Sequence, residues 1–141
     1  MTASTTHIDD RQDQAIEQLN RRKDWFDKYD YLIDLGRSLP EPDDELTTDH
    51  HAMKGCQSKV WIRADLRGRT LELTAFSDSL ITRGMIVLVL DVLEGATPEQ
   101  VVEADLYFIE QTGLDRNLSP ARANGLKTIV NHIQGLAREH L

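Results

Sequence analysis

The chain has 141 residues, of which 40% are hydrophobic and 28% charged, and its formal net charge is −8. This length suits one compact domain over residues 1–141, and the composition excludes wholesale disorder. The acidic balance argues against nucleic-acid binding, which relies on a basic surface. The N-terminus lacks the apolar segment of a secretory signal, and the longest apolar run, Met85–Leu90, is too short to span a membrane. We expect a cytoplasmic protein, because a single cysteine cannot form an internal disulfide.

Two helices are predicted before residue 40, after a frayed stretch at 1–8. The first is expected over Asp9–Arg22. The second begins near Asp24, because one helical face is formed by Trp25, Tyr29, Leu32, Ile33 and Gly36. Pro40 and Pro42 end this second helix, and Gly36 is expected near its C-cap.

An antiparallel hairpin is predicted in the middle of the chain. The stretch that precedes it, "PEPDDELTTDHHAMKG" at 40–55, is polar and has no hydrophobic period. A connection of this length without its own structure is more often functional than idle. Residues 60–66 and 71–76 alternate apolar and polar side chains as half-buried strands do, and Gly68 supplies the turn between them. The pattern leaves a third strand open.

Helices are predicted after the hairpin. The segment 79–95 is apolar nearly all round, which indicates a buried helix with its N-cap among residues 77–79 and Gly95 at its end. "TPEQ" at 97–100 is typical of a capping box, and "SPAR" at 119–122 opens the last helix in the same way. The last helix has an apolar stripe of Leu126, Ile129, Val130, Ile133, Leu136 and Ala137. The predicted fold class is α+β, with helices packed on one face of a small antiparallel sheet.

The only cysteine, Cys56, lies in "GCQSKVW", between Gly55 and the first residues of a strand. A cysteine reacts as its thiolate, which nearby cations and hydrogen-bond donors favour. Such groups flank Cys56 on both sides: Lys54, Gln57, Ser58 and Lys59. We interpret Cys56 as a nucleophile that a macromolecular partner reaches; the alternative is a buried, inert cysteine.

A cation at an unusual helix position is the second candidate. Arg122 occupies the third position of the last helix, where the helix dipole favours an anion, and it is four residues before Leu126 on the apolar side. A cation in this position is expected to interact with an anion. The partner is either a carboxylate such as Asp78 or Asp105, or a sulfur anion or docking loop at the cysteine.

Two adjacent histidines, His50 and His51, precede the cysteine. They are either solvated loop residues, or zinc ligands together with Cys56, or the base of a Cys–His hydrolase. One cysteine makes a thin set of metal ligands, and no third member of a hydrolase site is recognisable. The acidic residues 43–45 are expected to form a solvated charge run, and Trp61 is expected to pack under a helix.

These motifs resemble one family, the SufE-type sulfur acceptors of iron–sulfur cluster assembly. The resemblance extends from about Trp25 to Ala137, and "GCQSKVW" is its most specific piece. "LGRSLP", "SDSLITRGM" and "LSPARANGL" support it. It implies a fold shared with the IscU-type scaffold proteins.

The resemblance also implies a reaction and its site. Cys56 would accept the terminal sulfur of a persulfide from a pyridoxal-phosphate cysteine desulfurase, SufS- or CsdA-like, and stimulate that enzyme. It would then pass the sulfur to a SufB-like scaffold. Gly55, Gln57 and Ser58 would form the loop around the thiol, and two further residues match family positions near it, Asp78 and Arg122. The pyridoxal phosphate belongs to the desulfurase, so no cofactor is expected here, and the chain would be a monomer or weak dimer.

A lone thiol is consistent with a carrier rather than an enzyme. Sulfur exchange proceeds by thiolate attack on a sulfane sulfur. A chain with one cysteine cannot divert its persulfide into an internal disulfide, so donor and receiver must be other proteins. The alternative functions are a metal-binding regulator or cluster scaffold using His50, His51 and Cys56, and a cysteine hydrolase.

Overall fold

The computed structural model describes residues 3–54 and 58–141. Its elements, in chain order, are α1 (Ala3–Asn20), α2 (Trp25–Ser38), β1 (Val60–Arg67), β2 (Thr70–Ser77), α3 (Leu80–Leu93), α4 (Pro98–Glu103), α5 (Phe108–Gln111), α6 (Leu114–Asn117) and α7 (Pro120–Arg138). The two strands pair in one sheet, so the predicted α+β class is confirmed. Within these ranges, no helix combines the length and apolar character needed to cross a bilayer.

Helix α1 begins earlier than the sequence pattern predicts. The expectation of a frayed stretch at 1–8 is wrong at Ile8, which is helical and only 2% exposed. The reason is burial: Ile8 shares a helical face with Gln12 and Leu19, and both of these residues are fully buried. A helical start before Ile8 lets this apolar side chain join the core.

Helix α2 has the predicted boundaries. The Asp24 side chain accepts a hydrogen bond from the Asp27 backbone N–H at 3.0 Å, which makes Asp24 the N-cap. The helix ends at Ser38, just before Pro40.

Two glycines allow α2 and α3 to approach closely. A Cβ atom on Gly84 of α3 would overlap the carbonyl oxygen of Leu32, and one on Gly36 of α2 would overlap that of Leu80. Gly36 lies near the end of α2, as predicted. Its lack of a side chain also allows the backbones of α2 and α3 to approach each other closely at this crossing. Helix α3 itself is the predicted buried helix, with Ser79 as its N-cap.

The hairpin has the predicted strands and turn. Its register pairs Val60 with Ser77 and Arg67 with Thr70, and Gly68 occupies the turn with φ of 63°. One face carries the buried side chains of Val60, Ile62, Leu71 and Ala75. Helix α3 packs against β2 and α7 packs against β1, so this face is covered by helices.

Both predicted helix starts after α3 are confirmed. Thr97 and Gln100 form a reciprocal capping box with Pro98 in the first turn of α4. Ser119 caps α7 by accepting a hydrogen bond from the Arg122 backbone N–H at 3.3 Å. The α7 stripe meets the core through its buried members, Leu126, Ile129, Ile133 and Ala137.

Candidate functional site

The predicted nucleophile lies outside the described residues, together with Gly55 and Gln57. The structure does describe the chain on both sides of them, from Lys54 backward and from Ser58 onward. The describable part of the candidate site therefore consists of the residues that fix these two ends of the chain.

The upstream end is fixed to strand β1. The Met53 N–H donates to the Val60 carbonyl at 2.8 Å, and the Ile62 N–H donates to the His51 carbonyl at 2.9 Å. These bonds make a single antiparallel bridge between Ala52 and the outer edge of β1. Over residues 3–54 and 58–141, one bridge therefore stands where the sequence left a third strand possible.

The segment 40–54 is anchored further upstream as well. The Leu46 side chain is 1% exposed, and the Leu46 N–H donates to Asp43 Oδ1 at 2.8 Å in a local turn. Asp43 also lies 3.6 Å from Arg63, whose side chain is mostly buried on β1. Residues 43–45 are exposed, as the prediction of a solvated run requires, and the Asp43 carboxylate, 60% exposed, additionally meets this cation.

The downstream end is fixed by the turn between β2 and α3. Asp78 Oδ1 accepts a hydrogen bond from the Lys59 N–H at 3.0 Å, and the Asp78 N–H donates to the Lys59 carbonyl at 3.3 Å. The Ser77 hydroxyl donates to the same carbonyl at 2.7 Å. Asp78 thus holds the backbone three residues after Cys56, and its carboxylate binds a backbone amide.

Arg83 supports the same turn, although it was not singled out from the sequence. Its Nε donates to the Ser77 carbonyl at 2.7 Å, and its guanidinium lies 4.3 Å from the centre of the Phe76 ring. A cation inside the apolar run of α3 was the signal that could have identified it.

Arg122 and Ser58 come together at a small cleft. The cleft has a volume of about 40 Å³, and its lining includes Ser58, Thr82, Met85, Arg122, Gly125 and Ile129. Arg122 is exposed at the rim of this cleft, which it lines together with Ile129 of the apolar stripe of α7. Among the described residues it has no ion pair, and Asp78 is bonded to Lys59 instead. The described residues therefore do not form the predicted ion pair between Arg122 and a carboxylate such as Asp78 or Asp105.

His50 and His51 lie in a different place, a groove of about 500 Å³ between β1 and α7. Their ring centres are 4.7 Å apart. The groove also contains His132 and His140 of the C-terminal region, whose proximity was not predicted from the sequence. Burial lowers the pKa of His132 below its ordinary value, and the Glu139 carboxylate acts in the opposite direction.

Metal binding by His50, His51 and Cys56 stays a prediction, because Cys56 is not described. Over residues 3–54 and 58–141, no three His, Asp or Glu side chains stand close enough together to share an ion.

Trp61 does not have its predicted surroundings. It is half-buried and paired with Phe76 across the strands, on the face opposite the helices. It is absent from the set of side chains that pack on the helical core, so the expectation that it packs under a helix is wrong.

These elements define a helix-rich α+β protein with a two-stranded antiparallel sheet. A solved structure has the same fold: the solution structure of a hypothetical protein from Thermus thermophilus matches with a TM-score of 0.72 and 24% identity, covering 92% of this chain and 94% of that chain. The family model of the Fe-S metabolism associated domain, SufE, matches residues 13–137. The chain therefore belongs to the SufE family of proteins associated with Fe–S metabolism, as its motifs predicted.

Proposed function

We propose that this chain is a sulfur carrier that accepts persulfide sulfur on Cys56 from a cysteine desulfurase and delivers it to a cluster scaffold. The observation that carries the proposal is the placement of the only cysteine between two ends that the fold secures separately. Family membership supports the role in Fe–S metabolism.

The proposed reaction conserves atoms and oxidation state. The Cys56 thiolate attacks the terminal sulfur of the donor persulfide, a new S–S bond forms on Cys56, and the donor S–S bond breaks. The donor cysteine leaves as its thiolate, so no external oxidant or reductant is required. Delivery repeats the step with Cys56 as the leaving group.

The two secured ends limit how far Cys56 moves. Cys56 is three residues from Met53 and three from Lys59, so covalent geometry keeps its Cα within about 11 Å of each. Both of those residues are hydrogen-bonded to the sheet or its turn. Because the connection between these two fixed residues is short, ordering it when Cys56 contacts a partner protein costs little conformational entropy.

The surrounding charges favour a sulfur anion. Lys54 and Lys59 flank Cys56 in the sequence and are exposed, and Arg122 lies at the rim of the cleft beside Ser58. Cations lower the pKa of a thiol and stabilise the more acidic persulfide as its anion. The small cleft offers partly apolar walls, through Met85 and Ile129, against which a terminal sulfur is shielded from water and oxidants.

The proposed partners are those that membership of the family implies. A pyridoxal-phosphate desulfurase of the SufS or CsdA type supplies the sulfur and is stimulated by the removal of its persulfide product. A SufB-like scaffold receives it. The pyridoxal phosphate stays on the desulfurase, and the chain needs no cofactor for sulfur exchange itself.

The test is intact-mass measurement after incubation with a desulfurase and free cysteine, followed by removal of the small molecules. The expected adduct is one sulfur, about 32 Da, on the wild-type chain and none on Cys56→Ser. Ser38→Ala is the matched control, because it alters an exposed side chain at the end of α2, outside the site, and leaves the thiol in place. An adduct on Cys56→Ser, or none on the wild type while the desulfurase turns over, contradicts the proposal.

A further inference from the structure

Charge is divided unevenly along this chain. Three stretches build the candidate site: 50–64, which contains the acceptor motif, 79–90, which contains most of α3, and 116–138, which contains α7. None of the 24 Asp and Glu residues falls in these stretches, while eight of the 16 Lys and Arg residues do. The rest of the chain has the other eight cations and all 24 acids, so it carries −16 (8 minus 24). The net charge of −8 therefore conceals two parts of opposite sign.

The fold brings cations from all three stretches to the cleft beside Ser58. Arg122 lines this cleft, and Lys59 follows Ser58 directly. Arg83 is joined to Lys59 through Ser77. The Ser77 carbonyl accepts from Arg83 Nε at 2.7 Å, and the Ser77 hydroxyl donates to the Lys59 carbonyl at 2.7 Å.

Lys54 belongs to the same group of cations. It follows Met53, whose N–H donates to the Val60 carbonyl at 2.8 Å, and Val60 is the residue after Lys59. Four cations are thus held around one cleft, and we call them the basic patch: Lys54, Lys59, Arg83 and Arg122. Three of them are exposed, and Arg83 is half-buried.

The charge of the basic patch is not neutralised by the described residues. The ion pairs within residues 3–54 and 58–141 use other cations, namely Arg11, Arg21, Arg37, Arg63 and Arg67. The Asp78 carboxylate lies beside the patch and accepts from the Lys59 backbone N–H. Even with this carboxylate included, the patch carries a formal charge of +3 (4 minus 1).

We propose that the basic patch docks on an acidic protein surface, and that this surface surrounds the persulfide cysteine of the sulfur-donating desulfurase. The inference rests on the proposed function, because Cys56 is then the point at which the donor must touch the chain. Opposite charges on two docking surfaces accelerate their encounter and fix their relative orientation. The acidic remainder of the chain repels the same partner surface, so the patch leads the approach.

A protein surface fits the basic patch better than a nucleic acid does. A nucleic acid carries negative charge along its whole length, so it would also meet the acidic remainder of the chain. The charge of −16 on that remainder outweighs the four cations of the patch. An acidic area on a folded protein is local and meets the patch alone.

The experiment is a stopped-flow measurement of association between the full chain and a desulfurase at ionic strengths from about 0.05 to about 0.5 M. Free cysteine is left out, so that no persulfide forms and the rate reports docking alone. We expect the association rate constant to fall by about tenfold or more over this range, because salt screens the attraction. A rate constant that stays constant or rises with salt overturns the inference.

Charge reversal localises the effect. Lys59→Glu should slow association by about fivefold at the lowest ionic strength and by much less at the highest. Arg69→Glu is the matched control, because it makes the same change in net charge at an exposed position in the hairpin turn. The turn is separated from Lys59 by the length of β1, about 23 Å, which exceeds the Debye length throughout the range. Equal slowing by both variants would overturn the inference, since net charge alone would then govern association. Should Lys59→Glu fail to fold, Lys54→Glu makes the same test.

Sulfur loading of the wild type separates this inference from the proposed function. Salt-dependent docking without a sulfur adduct supports the basic patch and contradicts the carrier role. A sulfur adduct with salt-insensitive docking supports the carrier role and overturns the inference. Binding of a single-stranded oligonucleotide that Lys59→Glu abolishes would assign the patch to nucleic acid and also overturn it.

Discussion

Removal of the Asp78 carboxylate should loosen the strand end that follows the acceptor motif. In Asp78→Ala, the Lys59 N–H loses its 3.0 Å acceptor, while the backbone bond from Asp78 N–H to the Lys59 carbonyl is retained. A hydrogen bond to a charged acceptor contributes about 1.5–3 kcal/mol, and exposure of this one to solvent reduces that to about 1 kcal/mol. By the relation between free energy and equilibrium, the Lys59 amide should open about fivefold more often.

The assay is amide hydrogen exchange at Lys59, measured with global unfolding by urea in the same samples. Asp78→Asn is the matched control, because its side-chain oxygen still accepts the bond and exchange should rise much less. Equal exchange rates of the Lys59 amide in the wild type and in Asp78→Ala would refute the reasoning, since the Asp78 carboxylate would then not stabilise this strand end. The persulfide should still form on Cys56 in this variant, at a reduced rate.

Three further predictions concern the frame around the site. Gly84→Ala should lower the free energy of unfolding by at least about 2 kcal/mol, because its methyl group meets the Leu32 carbonyl; an unchanged urea midpoint contradicts the close crossing of α2 and α3. Leu46→Ala should cost about 2–3 kcal/mol by the same measurement, since this side chain is 1% exposed; a loss below about 0.5 kcal/mol would mean that the segment 40–54 unfolds separately. Burial and the hydrogen bond to Asp13 raise the pKa of Tyr107 to about 12, so stability should fall as pH rises from about 10 to about 12, because the unfolded phenol ionises first. Thermal melts of Tyr107→Phe should lack this alkaline decline, and a decline of equal size in the variant would assign it to other groups.

Local signals in the sequence predicted most of the elements. The caps at Asp24, Ser79, Thr97 and Ser119 are formed by side chains within three residues of the amides they bind, so spacing alone identifies them. The hairpin could be predicted equally well, because the alternation of apolar and polar residues and the turn at Gly68 are local features of the sequence.

The rest depends on contacts between distant parts of the chain. Gly36 and Gly84 are separated by 48 positions (84 minus 36), and no local pattern pairs them. Leu46 and Met53 are isolated apolar residues in a polar stretch, so the absence of a period concealed their burial. The start of α1 was misplaced because a single apolar residue, Ile8, decides it.

At the candidate site, the motif predicted the members, and the fold arranges the described neighbours. Ser58 and Arg122 are 64 positions apart (122 minus 58) and meet at one cleft, which the resemblance anticipated. Arg83 was missed, and so was the proximity of His132 and His140 to His50 and His51, because these contacts exist only after folding.

The most direct test of the carrier role follows the sulfur off the chain. Wild-type protein is loaded by a desulfurase, separated from it, and mixed with a cluster scaffold, and both masses are followed. We predict that the chain loses about 32 Da while the scaffold gains the same sulfur. Sulfur that remains on Cys56, or leaves only as free sulfide without reaching the scaffold, would contradict the carrier role.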